Sequence, residues 1–296
     1  MKISILGTNG FLSTAIAKYA NAVGWSLNMY GLSEPLGHSY DQFIRVDLMG
    51  SELDYATIIG SDMIVYAIGA GIQSNLKESA QFIYKLNTTI PVEVCNKLKE
   101  LDYKGVFITF GSVFEIGETT DERLFSEEDI LSAVTPAPND YVISKRMLST
   151  FVSSYKHHFT HWHFYIPTIY GIGENSMRLI PYVINAIRCD EELHFTSGDQ
   201  TRQYIHVSEI PIMINLAFSK KLPSGVYNIQ GAETLTVKEI VAQIHHSMGR
   251  EVPDGCFGSI QRDDVVMKYL ALDGSKLREQ IGFQASKSIV DMIKEY

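Results

Sequence analysis

Apolar residues gather into short runs that recur from the second residue onward. Lys2–Leu6, Leu27–Tyr30, Phe43–Val46, Met63–Ala67, Val106–Phe110 and His163–Ile166 are too short for helices and too continuous for half-exposed strands. They predict strands buried on both faces. Between them, Ser13–Ala22, Glu78–Thr89 and Val92–Glu100 carry apolar positions at helical spacing. Strands alternating with helices predict an α/β fold built on a doubly wound parallel sheet of Rossmann type.

Past Ile166 the pattern loosens. Pro and Gly punctuate Pro167–Glu174, a helix is expected from about Met177 to Cys189, and Val226–Ile229 reads as a strand. Helices follow at Val237–Met248 and Gly274–Ile281. This predicts a smaller C-terminal substrate-binding domain over the carboxyl edge of the sheet, where ligands of such sheets bind. The expected division is a cofactor domain over residues 1–166 with a return segment near 201–225, and the smaller domain over 167–200 and 226–296. The acidic stretch Glu118–Asp129, followed by Thr135–Asp140, reads as one long polar connection.

A formal charge of −9 argues against nonspecific binding to nucleic acid or an anionic membrane. Any anionic ligand must be held by a few placed basic groups. Three widely spaced cysteines (Cys95, Cys189, Cys256) form neither a disulfide framework nor a zinc spacing. No apolar run approaches membrane-spanning length and no charged-then-apolar leader precedes the first strand, so a cytoplasmic enzyme is expected. The dense group His157, His158, His161 and His163 has no carboxylate or cysteine at ligand spacing and reads as surface histidine, not a metal site. His245-His246 reads as surface too.

Two segments carry chemistry. Gly7-Thr8-Asn9-Gly10-Phe11-Leu12-Ser13 closes the first strand and opens the first helix. Its first glycine suits a tight turn, its second lets backbone approach a pyrophosphate, and Ser13 is small enough for helix–strand packing. Much later come Tyr141 and Lys145, four residues apart and so on one helix face. The cation favours the phenolate, which lets the tyrosine exchange protons. A hydride carrier and a proton carrier together mean alcohol–ketone chemistry. The carboxylate that would hold the ribose hydroxyls of NAD is replaced by Gly31, followed by Leu32 and Ser33. That leans towards NADP(H) over NAD(H).

Together these residues resemble the extended short-chain dehydrogenase/reductase family, in particular its NAD(P)-dependent nucleotide-sugar epimerases, dehydratases and reductases. The likeness implies roles along nearly the whole chain. The glycine loop (Gly7, Asn9, Gly10, Phe11, Leu12) would take the cofactor's pyrophosphate, Asp47 and Leu48 its adenine. Ala67, Ile68, Gly69 and Asn87 would lie beneath the cofactor, and Pro167 and Thr168 would meet the nicotinamide amide. Tyr141 matches the catalytic acid/base, and Lys145 the residue that holds the nicotinamide ribose and lowers the tyrosine pKa. Arg202 and Arg262 match the arginines that bind the substrate diphosphate, with bidentate geometry suited to its oxygens, and Asn175 would donate to the same phosphates. A homodimer through Glu78–Glu100 and Tyr141–Tyr155 is implied as well.

One departure stands out. Phe110 occupies the place where the family carries a Ser or Thr, with Thr109 before it and Ser112 two residues on. Ser112 is read in two ways, as the donor to the substrate oxygen or as a capping serine at the strand end. Gly111-Ser112 also replaces the Asp-Glu pair of the family's 4,6-dehydratases. The expected activity is reduction of the C4 keto group of a nucleotide-linked 4-keto-6-deoxyhexose, as in deoxysugar and polysaccharide synthesis. The alternatives are a 4-epimerase with tightly bound NAD and a non-catalytic sensor of the cofactor.

Overall fold

The computed structural model describes residues 1–72, 76–156, 158–260 and 267–296. Strands β1 (Lys2–Leu6), β2 (Ser26–Gly31), β3 (Gln42–Arg45), β4 (Met63–Tyr66), β5 (Val106–Ser112) and β6 (Thr160–Ile166) appear where the apolar runs predict them. Further along come β7 (Thr168–Tyr170), β8 (Thr201–His206), β9 (Gly225–Asn228), β10 (Glu233–Thr236) and β11 (Tyr269–Leu270). The larger sheet runs β3-β2-β1-β4-β5-β6-β9, all parallel. Its central strands β4 and β5 are buried at every position, which is why they read as unbroken apolar runs. Helices cover both faces, one over a core with Ile5, Ile16 and Met213, the other over a core with Ile64, Val94 and Phe107. The connection reverses direction between β1 and β4, which opens a crevice at their carboxyl ends.

The smaller sheet places β8 against β7, β10 and β11. It packs with Leu179–Cys189 and Val237–Ser247 around Ile184, Tyr204 and Ile244. Two strands sit elsewhere than the division at 201–225 and 226–296 places them. β8 belongs to the small sheet and β9 closes the large one. Of that return segment, the helix Glu209–Ser219 lies against the large sheet beside Phe11–Ala22, with Ile205 and Leu222 in the same core.

Other differences have local causes. The two expected helices over 78–100 are one continuous helical path, Ala80–Tyr84, a π-helical turn Lys85–Thr89, then Ile90–Glu100. Pro91 falls just after the wider turn, at the start of the α segment, where a missing N–H is tolerated. The acidic connection contains a helix, Glu127–Leu131, started by a capping box in which Ser126 Oγ and the Asp129 carboxylate each accept the other's backbone N–H. His161 and His163 are buried on β6, and His245 is buried while His246 is exposed. His157 lies outside the described residues. No helix among the described residues is long and apolar enough to cross a membrane.

Candidate active site

Four loops meet at the carboxyl edge of the large sheet. The end of β1 supplies Gly7 and Gly10. Gly7 has φ +108°, and a Cβ there would stand 3.2 Å from the Ala67 carbonyl at the end of β4. The turn therefore needs glycine, and Ala67 and Ile68 pack directly on it. Gly10 precedes the helix Phe11–Ala22 with no side-chain cap, so first-turn N–H groups are not taken up by a capping side chain. Ser13, fully buried, donates instead to the Gly10 carbonyl at 3.0 Å. A cavity of about 570 Å³ runs along the side of this helix, with Asn9, Phe11, Lys18, Tyr19, Gly173 and His206 in its wall and neither glycine of the turn among its lining. A cradle of backbone N–H groups beside glycine, on a dipole's positive end, fits the pyrophosphate of a dinucleotide.

The Asn9 side chain is tied to the loop after β2. Its amide donates to Ser33 Oγ and the Glu34 carbonyl at 3.0 Å each and accepts from Leu36 N at 2.9 Å. Asp47 accepts from Met49 N at 2.9 Å in an exposed turn beyond β3, beside Leu48. Asn87, on the π turn, is buried and spent on protein partners. It accepts from Ala70 N at 2.9 Å and donates to the Ala70 carbonyl at 2.8 Å. Pro167 and Thr168 join β6 to β7 at the same edge.

The helix Asp140–Ser154 delivers Tyr141 and Lys145, its start fixed by Asn139 accepting from Val142 N. The Lys145 ammonium lies 6.0 Å from the Tyr141 ring centroid and donates to the Phe110 carbonyl at 2.8 Å. Ser112 closes β5 and caps the turn that follows it. Its hydroxyl accepts from Phe114 N in a capping box with Glu115, and it lies close enough to the Tyr141 phenol to favour the ionised form. Thr109 points elsewhere, to His161 Nε2 at 2.9 Å and His163 Nδ1 at 2.8 Å. Phe110 is buried against Phe164.

The acidity of Tyr141 differs from the expectation that Lys145 lowers it. Burial pushes the phenol up to about 12; the Ser112 hydroxyl and the Arg178 charge oppose this, and the Glu115 carboxylate adds to it. Burial likewise pulls Lys145 below the ordinary lysine range, opposed by Glu115. Glu115 and Arg178 were not among the residues picked from the sequence. Arg178 pairs with Glu174 at 3.3 Å and precedes Leu179–Cys189.

A second cavity, about 240 Å³, lies between the small sheet and Leu179–Cys189, lined by Leu179, Tyr182, Phe195, Gln200, Arg202 and Tyr204. Arg202 donates to the Met267 carbonyl at 2.8 Å from β8. Asn175 accepts from Met177 N at 2.9 Å in the loop between the two cavities. Arg262 lies outside the described residues. A larger cavity, about 840 Å³, sits at the other end of β6 and β9 among Glu127, Tyr155 and Lys276, away from Tyr141. Size alone does not mark the site here, because the glycine turn, the tyrosine and the basic groups converge elsewhere.

The family model for the NAD dependent epimerase/dehydratase family matches residues 3–229, and the chain belongs to that family. It is 25% identical over 268 residues to dTDP-glucose 4,6-dehydratase of Streptomyces niveus, covering 86% of this chain and 74% of the relative. Among solved structures it superposes on MoeE5 in complex with UDP-glucuronic acid and NAD with TM-score 0.82, at 17% identity, over 100% of this chain and 97% of that one. The UDP-N-acetylglucosamine 4-epimerase of Methanobrevibacter ruminantium gives TM-score 0.82 at 16% identity, over 99% and 96%.

Proposed function

We propose that the protein is an NAD(P)-dependent oxidoreductase of nucleotide sugars that reduces the C4 ketone of a nucleotide-linked 4-keto-6-deoxyhexose. The observation that carries this reading is the placement of Lys145 against the Phe110 carbonyl, with Tyr141 and Ser112 beside it, at the carboxyl edge of the sheet that also carries the glycine turn. Ser112 would hold the carbonyl oxygen and Tyr141 would donate its proton to that oxygen. Lys145 would hold the ribose of the cofactor. Arg202, with Asn175 and Arg262, would take the diphosphate, and the smaller sheet would form the substrate side of the cleft. When bound, the dinucleotide supplies the hydride.

Elimination of water is disfavoured by Gly111-Ser112 in place of an acid–base pair. A Cβ at Gly111 would stand 2.5 Å from Tyr165 Cδ1 and 2.7 Å from Glu115 Oε1, so no longer side chain fits there. Gly31 leaves the ribose carboxylate out for a similar reason, since a Cβ would meet Thr8 Oγ1 at 2.7 Å. This keeps NADP(H) open beside NAD(H). A homodimer would bury Ile143 and Met147, both exposed and on one face of Asp140–Ser154.

The second reading, a 4-epimerase retaining NAD, is favoured by solved neighbours whose complexes hold NAD. Native mass spectrometry of the freshly purified protein separates the two. Protein that arrives empty, binds added NADPH or NADH and oxidises it with a 4-keto sugar nucleotide supports the reductase. Stoichiometric bound NAD, with interconversion of C4 epimers and no added cofactor, would overturn it.

A further inference from the structure

Every other arginine among the described residues pairs with a carboxylate or hydrogen-bonds a protein oxygen. Arg45 does neither with any described residue, and it is exposed. A solvated arginine is common on a protein surface, so its place in the sheet decides what it can do.

The sheet register fixes that place. Arg45, the last residue of the edge strand β3, lies directly beside Gly31, the last residue of β2. The strands are parallel, so register partners share a face. Leu27 and Met29 on β2 and Phe43 on β3 pack in one core with Ile16 of the helix Phe11–Ala22. By alternation, Gly31 and Arg45 face the same side as that helix. Gly31 gives the same answer from its own surroundings, since a Cβ there would meet Thr8 Oγ1 of the glycine turn at 2.7 Å. In a doubly wound sheet this corner receives the adenosine ribose. A carboxylate at the end of β2 takes the hydroxyls of NAD, and an arginine nearby takes the 2′-phosphate of NADP. Here the carboxylate has no room, and the neighbouring strand brings an arginine.

The other polar groups at the corner suit an anion. Glu34 accepts from the Tyr40 hydroxyl, Asp41 from Ser26 Oγ at 2.7 Å and Leu27 N at 2.6 Å, and Asp47 from Met49 N at 2.9 Å. These carboxylates are thus engaged elsewhere. Ser33 Oγ accepts from Asn9 Nδ2 at 3.0 Å, which occupies a lone pair and leaves the hydroxyl proton to donate. The Asn9 amide also holds the Glu34 carbonyl at 3.0 Å and Leu36 N at 2.9 Å, pinning this loop to the glycine turn. A phosphate dianion offers acceptors only, matched by a forked guanidinium and a donating hydroxyl. With a formal charge of −9 the chain as a whole repels such a group, so a placed cation is needed.

We propose that Arg45, with Ser33, is a specificity-determining residue that selects a dinucleotide carrying a 2′-phosphate, so that NADP(H) binds in preference to NAD(H). This selection rests on the reading of the chain as an NAD(P)-dependent oxidoreductase and names the form of the cofactor. It does not depend on which ketone is reduced.

Two small probes isolate the contact, because 2′,5′-ADP and 5′-AMP differ only in the 2′-phosphate. In calorimetry the unsubstituted protein should bind 2′,5′-ADP at least about tenfold more tightly than 5′-AMP, and NADPH more tightly than NADH by a similar factor. Arg45→Met keeps much of the side chain's length and removes the donors. Affinity for 2′,5′-ADP and NADPH should fall roughly 10–100-fold, with 5′-AMP and NADH bound as before. Arg45→Lys should recover part of the loss, and Ser33→Ala should weaken binding by less than Arg45→Met does. Equal affinity for the two probes in the unsubstituted protein would overturn the proposal. So would a preference that survives in Arg45→Met, or an equal loss of both probes there; should that variant not fold, the same results in Arg45→Gln decide. Failure of the functional reading looks different. A protein that prefers NADPH yet reduces no 4-keto sugar nucleotide loses that reading and keeps the role of Arg45. Ketone reduction sustained equally well by NADH, with no preference between the probes, loses the role of Arg45 and keeps the reading.

Discussion

The Asn87 amide donates to Ser144 Oγ at 2.9 Å, and the Ser144 hydroxyl donates in turn to the Tyr141 carbonyl at 2.8 Å. One side chain thus ties the Ala70 loop after β4 to the helix that carries Tyr141 and Lys145. Asn87→Ala would strand the buried Ala70 N–H and carbonyl. We expect a loss of about 2–4 kcal/mol in unfolding free energy, read by denaturant titration. Dinucleotide affinity should fall as well, although the Asn87 amide is occupied by protein partners.

Tyr141→Phe removes the proton and little else, since the ring packs edge-on at 6.5 Å from Phe114 whether or not the hydroxyl is present. Ketone reduction should fall about 10²–10⁴-fold with the dissociation constant for NADPH unchanged in calorimetry. Ser112→Ala should lower kcat by less than Tyr141→Phe does. Full turnover in Ser112→Ala would leave Ser112 with only its capping role.

These residues differ in how far the sequence exposes them. The strands of the large sheet were legible because burial on both faces writes an unbroken apolar run. The glycine turn was legible because Gly7 and Gly10 follow such a run directly. The buried histidines were not, since their partners Thr109 and Ser149 come from other elements far along the chain. A signal existed, in that His161 and His163 alternate with Trp162 and Phe164, as one face of a strand reaching back to Thr160 would. Glu115 was hidden in a different way. It stands alone between Phe114 and Ile116, and a lone acid in an apolar stretch marks burial without saying what it faces. The π turn left no pattern, because Lys85–Thr89 keeps the helical run of apolar residues on either side.

The Arg123–Asp129 pair makes an acid-sensitive start to Glu127–Leu131. Arg123 Nη1 and Nη2 each donate to the Asp129 carboxylate at 2.9 Å, and Ser126 N and Oγ donate at 2.8 and 2.7 Å. The Arg123 and Ser126 hydrogen bonds hold the carboxyl below its ordinary range. A depressed folded-state pKa gives stability that is present above the unfolded value, about 3.9, and is lost as pH falls through the folded one. Asp129→Asn should therefore cost about 1 kcal/mol at pH 7. The gap from the unsubstituted protein should begin to narrow only as urea titrations are taken below about pH 4, and go on narrowing as pH falls towards the depressed folded-state value.

Arg202 offers the sharpest separation of binding from chemistry. It lies on β8 in the wall of the 240 Å³ cavity with Tyr204, on the far side of the cleft from the glycine turn. A guanidinium there matches two oxygens of a diphosphate, and bonds to a charged group contribute about 1.5–3 kcal/mol. Arg202→Met keeps much of the side chain's length and removes the donors. Affinity for a nucleoside diphosphate, measured by calorimetry, should fall roughly 10–100-fold, while NADPH affinity stays as it was. Equal loss for both ligands would mean that Arg202 acts through the fold, by its hydrogen bond to the Met267 carbonyl. Lys in its place should recover only part of the affinity, because an ammonium gives the charge without the paired donors.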